Sequence, residues 1–240
     1  MQIIDFHSHF LPQIDDGSRD MGTTLRILES CGEHDIDIMI ASPHFYAHEN
    51  KVDTFLHKRQ DAYDQVMNAI NEKSVIKYPQ IKLGAEVAYF EGIGRAERIS
   101  ELTVEGTSLL LLEMPFTTWD NSVLGELEML INKQNLHLII AHLERFLKIP
   151  ANKPYIKELL KMPVTVQINA EALLEGFKSR DVIKLIKKNQ AHILGSDCHG
   201  MHRRPPNLWE GREVIARRIG TERLEEIDRY GQKLLEKYRR

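Results

Sequence analysis

Short, continuously apolar runs recur along the chain, and each is followed by a stretch whose apolar residues fall at helical spacing. The runs are Ile3–Phe6, Ile36–Ser42, Ile81–Val87, Leu109–Met114, His137–Ala141, Val164–Ile168 and His192–Gly195. Unbroken apolar character predicts strands covered on both faces, as in parallel sheets. Between them the pattern predicts a helix capped by Asp20, with Leu25, Leu28 and Cys31 on its buried stripe. It then predicts helices at Val52–Lys73, Gly94–Leu102, Asn121–Lys133, Pro154–Lys161 and Arg180–Lys188, and helical segments from Leu208 onward. In Asn121–Lys133 the inward stripe is Leu124, Leu127 and Ile131. Seven strands alternating with helices imply parallel pairing through right-handed crossovers. Two architectures satisfy this: an open doubly wound sheet, or a barrel.

The polar residues that punctuate the pattern decide between them. The first run ends in D-F-H-S-H, with His7 and His9 two residues apart and therefore pointing the same way on extended backbone. Two imidazoles on one side of a strand end can grip a transition metal. The turn Asp15-Asp16-Gly17 can swing a carboxylate back toward them. Strand 2 ends with His44, strand 3 with Glu86, strand 4 with Glu113 and strand 5 with His142. Strand 6 ends with Asn169, and strand 7 with Asp197 and His199. An open sheet gathers ligands only where its strand order reverses, whereas a barrel brings all its carboxyl ends to one mouth. A ring of His, Asp and Glu on six of seven strands argues for a barrel with one polynuclear metal centre. Asn169, just before A-E-A-L-L-E, reads as a helix N-cap rather than a ligand. The other histidines, His34, His48, His57, His137, His192 and His202, read as structural or solvated.

Composition acts mainly by exclusion. A length of 240 residues suits one α/β barrel domain over 1–240. The net charge of −3 disfavours nucleic acid as a partner. No run of eighteen apolar residues and no secretory signal pattern appears, so no membrane insertion is expected. With only Cys31 and Cys198, a disulfide framework is not expected and a reducing cytoplasm is the default. The pattern leaves the oligomeric state open.

Taken together, H-S-H, D-D-G, S-P-H, G-A-E, the strand-4 Glu, A-H-L-E-R and S-D-C-H followed by R-P-P resemble the PHP (polymerase and histidinol phosphatase) superfamily. The similarity is greatest to its bacterial protein-tyrosine phosphatase branch, which serves capsular and exopolysaccharide synthesis. The resemblance implies a distorted (β/α)7 barrel holding three divalent transition-metal ions, often manganese. It implies one metal on His7, His9, Glu86 and Asp197, a second on Glu86, Glu113 and His142, and a third on Asp16, His44 and His199. It also implies that Arg145 and Arg204 grip the phosphate, and that the partner is a phosphotyrosine-bearing tyrosine kinase of polysaccharide assembly. Cys198, Gly200 and Leu143 depart from the branch's usual residues without removing a ligand.

Such a site fits phosphate-ester hydrolysis by a hydroxide bridging two metals. Its mixed imidazole and carboxylate donors suit manganese, iron or zinc better than magnesium or calcium. Phe45, Tyr46, Tyr89, Phe90, Phe116 and Trp119 follow strands 2 to 4 and form either an aromatic rim for a phosphotyrosine ring or a cover for the barrel top. Rival readings are a small-molecule phosphatase such as one for histidinol phosphate, an amidohydrolase and a non-catalytic regulator. Cys198 and Arg204 also satisfy the C-x5-R spacing of cysteine-dependent phosphatases. Cys198 lies between two ligand candidates, however, and is expected to pack behind the strand.

Overall fold

Every strand pairing between named strands is parallel, as the unbroken apolar runs predict. The computed structural model describes residues 1–71, 77–176 and 179–240. Its strands are β1 (Ile4–Ser8), β2 (Ile38–Ala41), β3 (His44–Phe45), β4 (Gln80–Leu83), β5 (Glu86–Ala88), β6 (Leu109–Glu113), β7 (His137–Ile140), β8 (Thr165–Asn169) and β9 (Ile193–Gly195). One sheet runs β1-β2-β4 and the other β3-β5-β6-β7-β8-β9. The sheets meet at β9 and β1, where Ser8 bridges Cys198 in parallel and the Asp197 N–H donates to the His7 carbonyl at 2.7 Å. The result is an α/β fold of parallel strands.

Two predicted strands are each broken in two, and the breaks have local causes. Pro43 has no N–H to give a ladder and divides β2 from β3. Gly84 and Ala85 divide β4 from β5. Hydrogen bonding continues across both breaks, from the Gly84 N–H to the Ala41 carbonyl (2.8 Å) and from the Glu86 N–H to the Pro43 carbonyl (3.0 Å). His44 and Phe45, read from sequence as the start of a polar loop, therefore form a strand, and Glu86 opens one.

Helices flank the strands. α1 (Met21–Glu33) and α2 (Val52–Asn71) follow β1 and β3. The Asp20 side chain caps α1 by accepting from the Thr23 N–H at 2.7 Å, as predicted. The buried stripe of α1 is Thr24, Ile27, Leu28 and Cys31, with Leu25 at its margin. The last two residues of the predicted Val52–Lys73 helix lie outside the described residues. The helical piece before β6 consists of two 3-10 turns, Ile93–Arg95 and Ile99–Leu102. After β6 comes α3 (Asn121–Asn132), then α4 (Leu143–Phe146) and α5 (Lys153–Leu159) after β7, and α6 (Glu171–Leu174) and α7 (Ser179–Lys187) after β8. α8 (Leu208–Arg218) and α9 (Thr221–Lys237) follow β9.

Inward-facing Ile4, Phe6, Ile38, Ile40, Leu109, Leu111, Ile139 and Ile193 pack together with Leu234 of α9. This apolar layer lies beneath the polar strand ends. The transition on β1 is abrupt, because three residue steps on β1 oppose two on β2 between the pairs Asp5↔Met39 and Ser8↔Ala41. The extra residue is a β-bulge, which re-aims side chains. It turns His7 to the same side as Phe6. A Cβ added at Gly195 would lie 2.5 Å from the His7 Cβ, so this position requires glycine for β9 to approach β1.

At the opposite end of the strands, the His137 ring stacks on Tyr238 at 4.1 Å and its Nε2 lies 2.8 Å from Thr165 Oγ1. Burial, with Lys237 and His192 nearby, lowers its pKa from 6.5 to about 4. A histidine held neutral in the folded chain adds stability above its unfolded pKa, and this stability is lost as pH falls from about 6.5 toward about 4. Urea unfolding across that window is expected to cost the wild type up to about 3 kcal/mol more than His137→Asn. Identical acid profiles for the two proteins would exclude this role.

Candidate metal centre

The polar strand ends converge as the sequence pattern predicts. His7, His9, Glu86 and His142 are fully buried, and Glu113, Asp197 and His199 nearly so. His7 Nε2 and His9 Nε2 lie 3.0 Å apart. Both face Glu86 Oε2 at 3.2 Å, and Asp197 Oδ1 at 3.6 and 3.4 Å respectively. His142 Nε2 lies 2.8 Å from Glu86 Oε1 and 3.3 Å from Glu113 Oε1. His44 and His199 direct their Nε2 atoms to Asp16 Oδ1, at 3.5 and 3.4 Å. The His9 ring centre lies 4.2 Å from that of His199 and 4.5 Å from that of His44, with tilted planes, which links this third group to the first.

These donors fit metal ions better than they fit one another. Glu86 Oε2, Asp197 Oδ1, His44 Nδ1 and His142 Nδ1 are buried without a hydrogen-bond partner, although His44 Nδ1 comes within 2.9 Å of Glu86 Oε2. Buried polar atoms normally find partners, so the orphaned Glu86 Oε2 and Asp197 Oδ1, both facing His7 Nε2 and His9 Nε2, indicate a cation-binding arrangement. Four sets of three have donor atoms close enough to hold an ion: His7, His9 and Asp197; His7, Glu86 and His142; His44, Glu86 and Glu113; and His9, His44 and His199.

The surrounding charge is strongly coupled. Burial opposes the charged form of His9, but hydrogen bonds to Asp15 and Glu86 outweigh it and push the imidazole up to about 10. His142 rises to about 9 in the same way, against burial, through Glu113 and Glu86. Burial, His9 and Arg204 together lower His199 to about 4. Protons and a cation compete for the same nitrogens, so metal affinity falls as pH falls.

Arg145 and Arg204 both reach this mouth. Arg145 Nη2 donates to Asp197 Oδ2 at 2.5 Å, and Arg204 pairs with the same oxygen while donating to His199 Nε2 at 2.7 Å. His142, Asp197 and Arg204 have backbone φ of +33°, +54° and +54°. Such left-handed conformations in non-glycine residues cluster at functional sites.

Of the residues that orient the histidines, the sequence pointed to the Asp15 turn but missed Gln167 and the role of Asn169. His9 Nδ1 donates to Asp15 Oδ2 at 2.7 Å, leaving Nε2 free to bind a metal. Gln167 Oε1 accepts from His7 Nδ1 (3.2 Å) and from the His142 backbone N–H (2.8 Å). Gln167 Nε2 donates to Asn169 Oδ1 at 2.9 Å, and Asn169 Nδ2 donates to Asp197 Oδ2 at 2.7 Å. Asn169 is thus not a helix N-cap: it ends β8, and Ala170 takes the cap position of α6 without a side-chain bond. The alternating polar positions Thr165, Gln167 and Asn169 on one buried strand were the available signal.

Other expectations divide. Among the aromatics, Phe45 and Trp119 are buried cover, whereas Phe116 is 56% exposed with its ring 6.3 Å from that of His142. Tyr46 stacks on His44 at 5.2 Å. Tyr89 and Phe90 are half-buried against the core. His34 stacks on Trp209, His137 and His192 make internal hydrogen bonds, and His48, His57 and His202 are exposed. Cys198 is fully buried in the core, and burial pushes its thiol pKa far up.

The chain matches the family model described as capsular polysaccharide synthesis, CpsB/CapC, over residues 3–235. It is 25% identical to the tyrosine-protein phosphatase CpsB of Streptococcus agalactiae, covering 94% of each chain. It is 25% identical to the tyrosine-protein phosphatase YwqE of Bacillus subtilis, covering 92% of this chain and 86% of the other. Among solved structures, it superposes with a TM-score of 0.84 on one from work on YwqE of Bacillus subtilis and CpsB of Streptococcus pneumoniae, described there as unique metal-dependent tyrosine phosphatases. That match has 20% sequence identity and covers 98% of this chain and 95% of the other.

Gln167 supports two histidines at once without being a candidate ligand itself. Gln167→Leu is expected to weaken divalent-metal binding about 10- to 100-fold, the usual effect of losing an orienting partner. Metal titration of the chelated, refolded variant measures this, with circular dichroism to verify the fold. Unchanged affinity would mean that the amide orients nothing.

Proposed function

The chain belongs to the CpsB/CapC family of capsular polysaccharide synthesis, and on that footing we propose that it is a metal-dependent protein-tyrosine phosphatase. The observation that carries this reading is the meeting of two guanidinium groups, Arg145 and Arg204, on one carboxylate at the edge of a buried His–Glu–Asp centre. Counting β2 with β3, and β4 with β5, as single broken strands supports a (β/α)7 barrel as one domain over 1–240. Three ions are assigned: the first to His7, His9, Glu86 and Asp197, the second to Glu86, Glu113 and His142, and the third to Asp16, His44 and His199. Manganese is the preferred metal, with iron or zinc as alternatives. Divalent ions held there would supply an acidified water and neutralise the charge of the phosphate.

The chain's own residues do the rest. Arg145 and Arg204 present planar forks that match the nonbridging phosphate oxygens. Gln167, Asn169 and Asp15 fix the histidine tautomers and the Asp197 carboxylate. Phe116 and Tyr46 offer aromatic faces to the tyrosyl ring beside His142 and His44. A tyrosyl phenolate, with a pKa of about 10, leaves with less protonation than an alkoxide. Phosphotyrosine therefore suits this mouth, where no described residue is placed as a dedicated general acid. We infer a cytoplasmic location and, as partner, a tyrosine kinase of polysaccharide assembly; the free, buried Cys31 and Cys198 suit a reducing compartment. A PHP-type phosphatase of small esters such as histidinol phosphate is the alternative.

Phosphate release from phosphotyrosyl peptide, phosphoseryl peptide and histidinol phosphate, with manganese added, tests the reading. The phosphotyrosyl peptide is expected to be hydrolysed fastest, and exhaustive chelation to abolish turnover; faster hydrolysis of histidinol phosphate would reverse the substrate assignment. Arg204→Ala is expected to lower kcat about 100-fold or more with metal content near wild type. Cys198→Ser is expected to keep most activity, because its buried thiol resists ionisation. A folded, metal-loaded but inactive Cys198→Ser protein would overturn the metal mechanism.

A further inference from the structure

A second feature opens beside the metal centre. The turn after β1, the first turns of α1 and the loop after β9 enclose a cleft of about 490 Å³. Its walls carry Arg19, Arg26, Arg203 and Arg204, and it opens onto Asp16 and His199. Four arginines around one cavity contrast with a chain whose net charge is −3.

Little in the fold neutralises these groups. Arg19 and Arg203 are exposed and take part in no hydrogen bond or ion pair among the described residues. Arg26 is exposed and, among the described residues, its side chain donates to Thr23 Oγ1 at 3.2 Å, with Asp20 close enough to interact electrostatically. Asp20 is itself committed to capping α1. Asp16 turns its carboxylate to His44 and His199. Among the described residues, Arg204 alone of the four is ion-paired, at the candidate metal centre. The cleft therefore offers unneutralised guanidinium forks next to the phosphate-binding end of the mouth. Guanidinium suits carboxylates as well as phosphate because both accept two parallel N–H bonds.

We propose that this cleft binds acidic residues flanking the target phosphotyrosine, so that the favoured substrate is an acidic phosphotyrosyl segment of a protein. The proposal rests on the tyrosine-phosphatase reading and deepens it. The phosphate occupies the metal mouth, and the neighbouring chain lies along the cleft with its carboxylates on Arg19, Arg26 and Arg203. Extended peptide advances about 3.3 Å per residue, so side chains one to three positions from the phosphotyrosine reach this region. The attraction is between exposed charges and is screened over about 8 Å at physiological ionic strength.

The test compares kcat/KM of the manganese-loaded enzyme on three substrates: a phosphotyrosyl peptide flanked by Glu and Asp, the same peptide with Gln and Asn, and p-nitrophenyl phosphate. The acidic peptide is expected to be favoured about fivefold over the neutral one at low salt, in line with two or three exposed ion pairs, and the preference to shrink as salt rises. Arg19→Gln combined with Arg26→Gln should bring the ratio of the two peptides close to one. Arg19→Glu combined with Arg26→Glu should favour the neutral peptide, a reversal that general loss of structure cannot produce. Equal hydrolysis of both peptides by the wild type, or a preference that survives in the variants, would overturn the cleft's role alone. Failure to release phosphate from any of the three substrates would overturn the phosphatase reading, and the cleft's role with it.

Discussion

The site depends on one buried carboxylate. Glu86 has no solvent access, and four imidazoles reach it: His7 and His9 at 3.2 Å, His44 at 2.9 Å and His142 at 2.8 Å. An uncompensated buried carboxylate would cost several kcal/mol, so each of these contacts is also a condition of folding. Burial tends to raise the Glu86 pKa, but the charge of His7 and the bonds from His142, His44 and His7 hold it well below the usual range. The backbone fixes Glu86 as firmly as the imidazoles do. It opens β5, and its N–H is held by Pro43 across the same break that lets His44 stand opposite it. The four imidazoles come from the ends of β1, β3 and β7. A carboxylate at this position thus ties three strand ends to a fourth.

The polypeptide reaches this arrangement through local departures from regular strand. The bulge on β1 turns His7 inward immediately after Phe6. His142 and Asp197 leave β7 and β9 through left-handed residues, each at a sharp change of direction. Left-handed backbone in a residue bearing a Cβ costs about 1 kcal/mol or more, and it persists only where neighbours over-determine it. Here they do: the Asp197 N–H is held by His7, the His142 N–H by Gln167, and Arg204 is tied by its carbonyl to the His199 N–H at 2.9 Å. Three of the residues in this conformation, His142, Asp197 and Arg204, thus carry candidate chemistry.

Apolar periodicity made the strand order and the strand ends legible, because those runs are buried on both faces and leave few alternatives. The ring of His, Asp and Glu was legible for the same reason: polar residues at the end of each such run must face something polar. What escaped were features set by tertiary contact. The division of β2 from β3 depends on one missing N–H at Pro43, and the inclusion of His44 in a strand depends on its partner Glu86. The buried positions of α3 are Val123, Leu127 and Leu130, while the expected Leu124 and Ile131 pack partly buried at the margin, because the helix also packs against the Ile93–Arg95 turn. Asn169 resembled a cap locally but is claimed by Asp197, 28 residues away in sequence. Long-range polar pairs of this kind leave no periodic trace.

The adjacent carboxylates of Asp15 and Asp16 bring these threads together. The sequence indicates that this turn returns an acid to the histidines, but one residue of spacing gives the two side chains opposite duties. Asp15 is 6% exposed at its side chain and takes the His9 Nδ1–H, the His44 N–H and the Gly17 N–H. Its pKa falls to about 2, since the bond to His9 outweighs burial. Asp16 is 69% exposed and faces His44 and His199 from the solvent side. Gly17 makes the division possible, because a Cβ there would lie 2.1 Å from the His9 carbonyl oxygen and force the turn open. The same turn supplies a wall of the arginine-lined cleft through Asp16, Gly17 and Arg19. Its closed form therefore sets both the orientation of His9 in the metal centre and the distance from that centre to the first unpaired guanidinium. The proposed metal centre and the proposed substrate cleft thus share one short stretch of backbone.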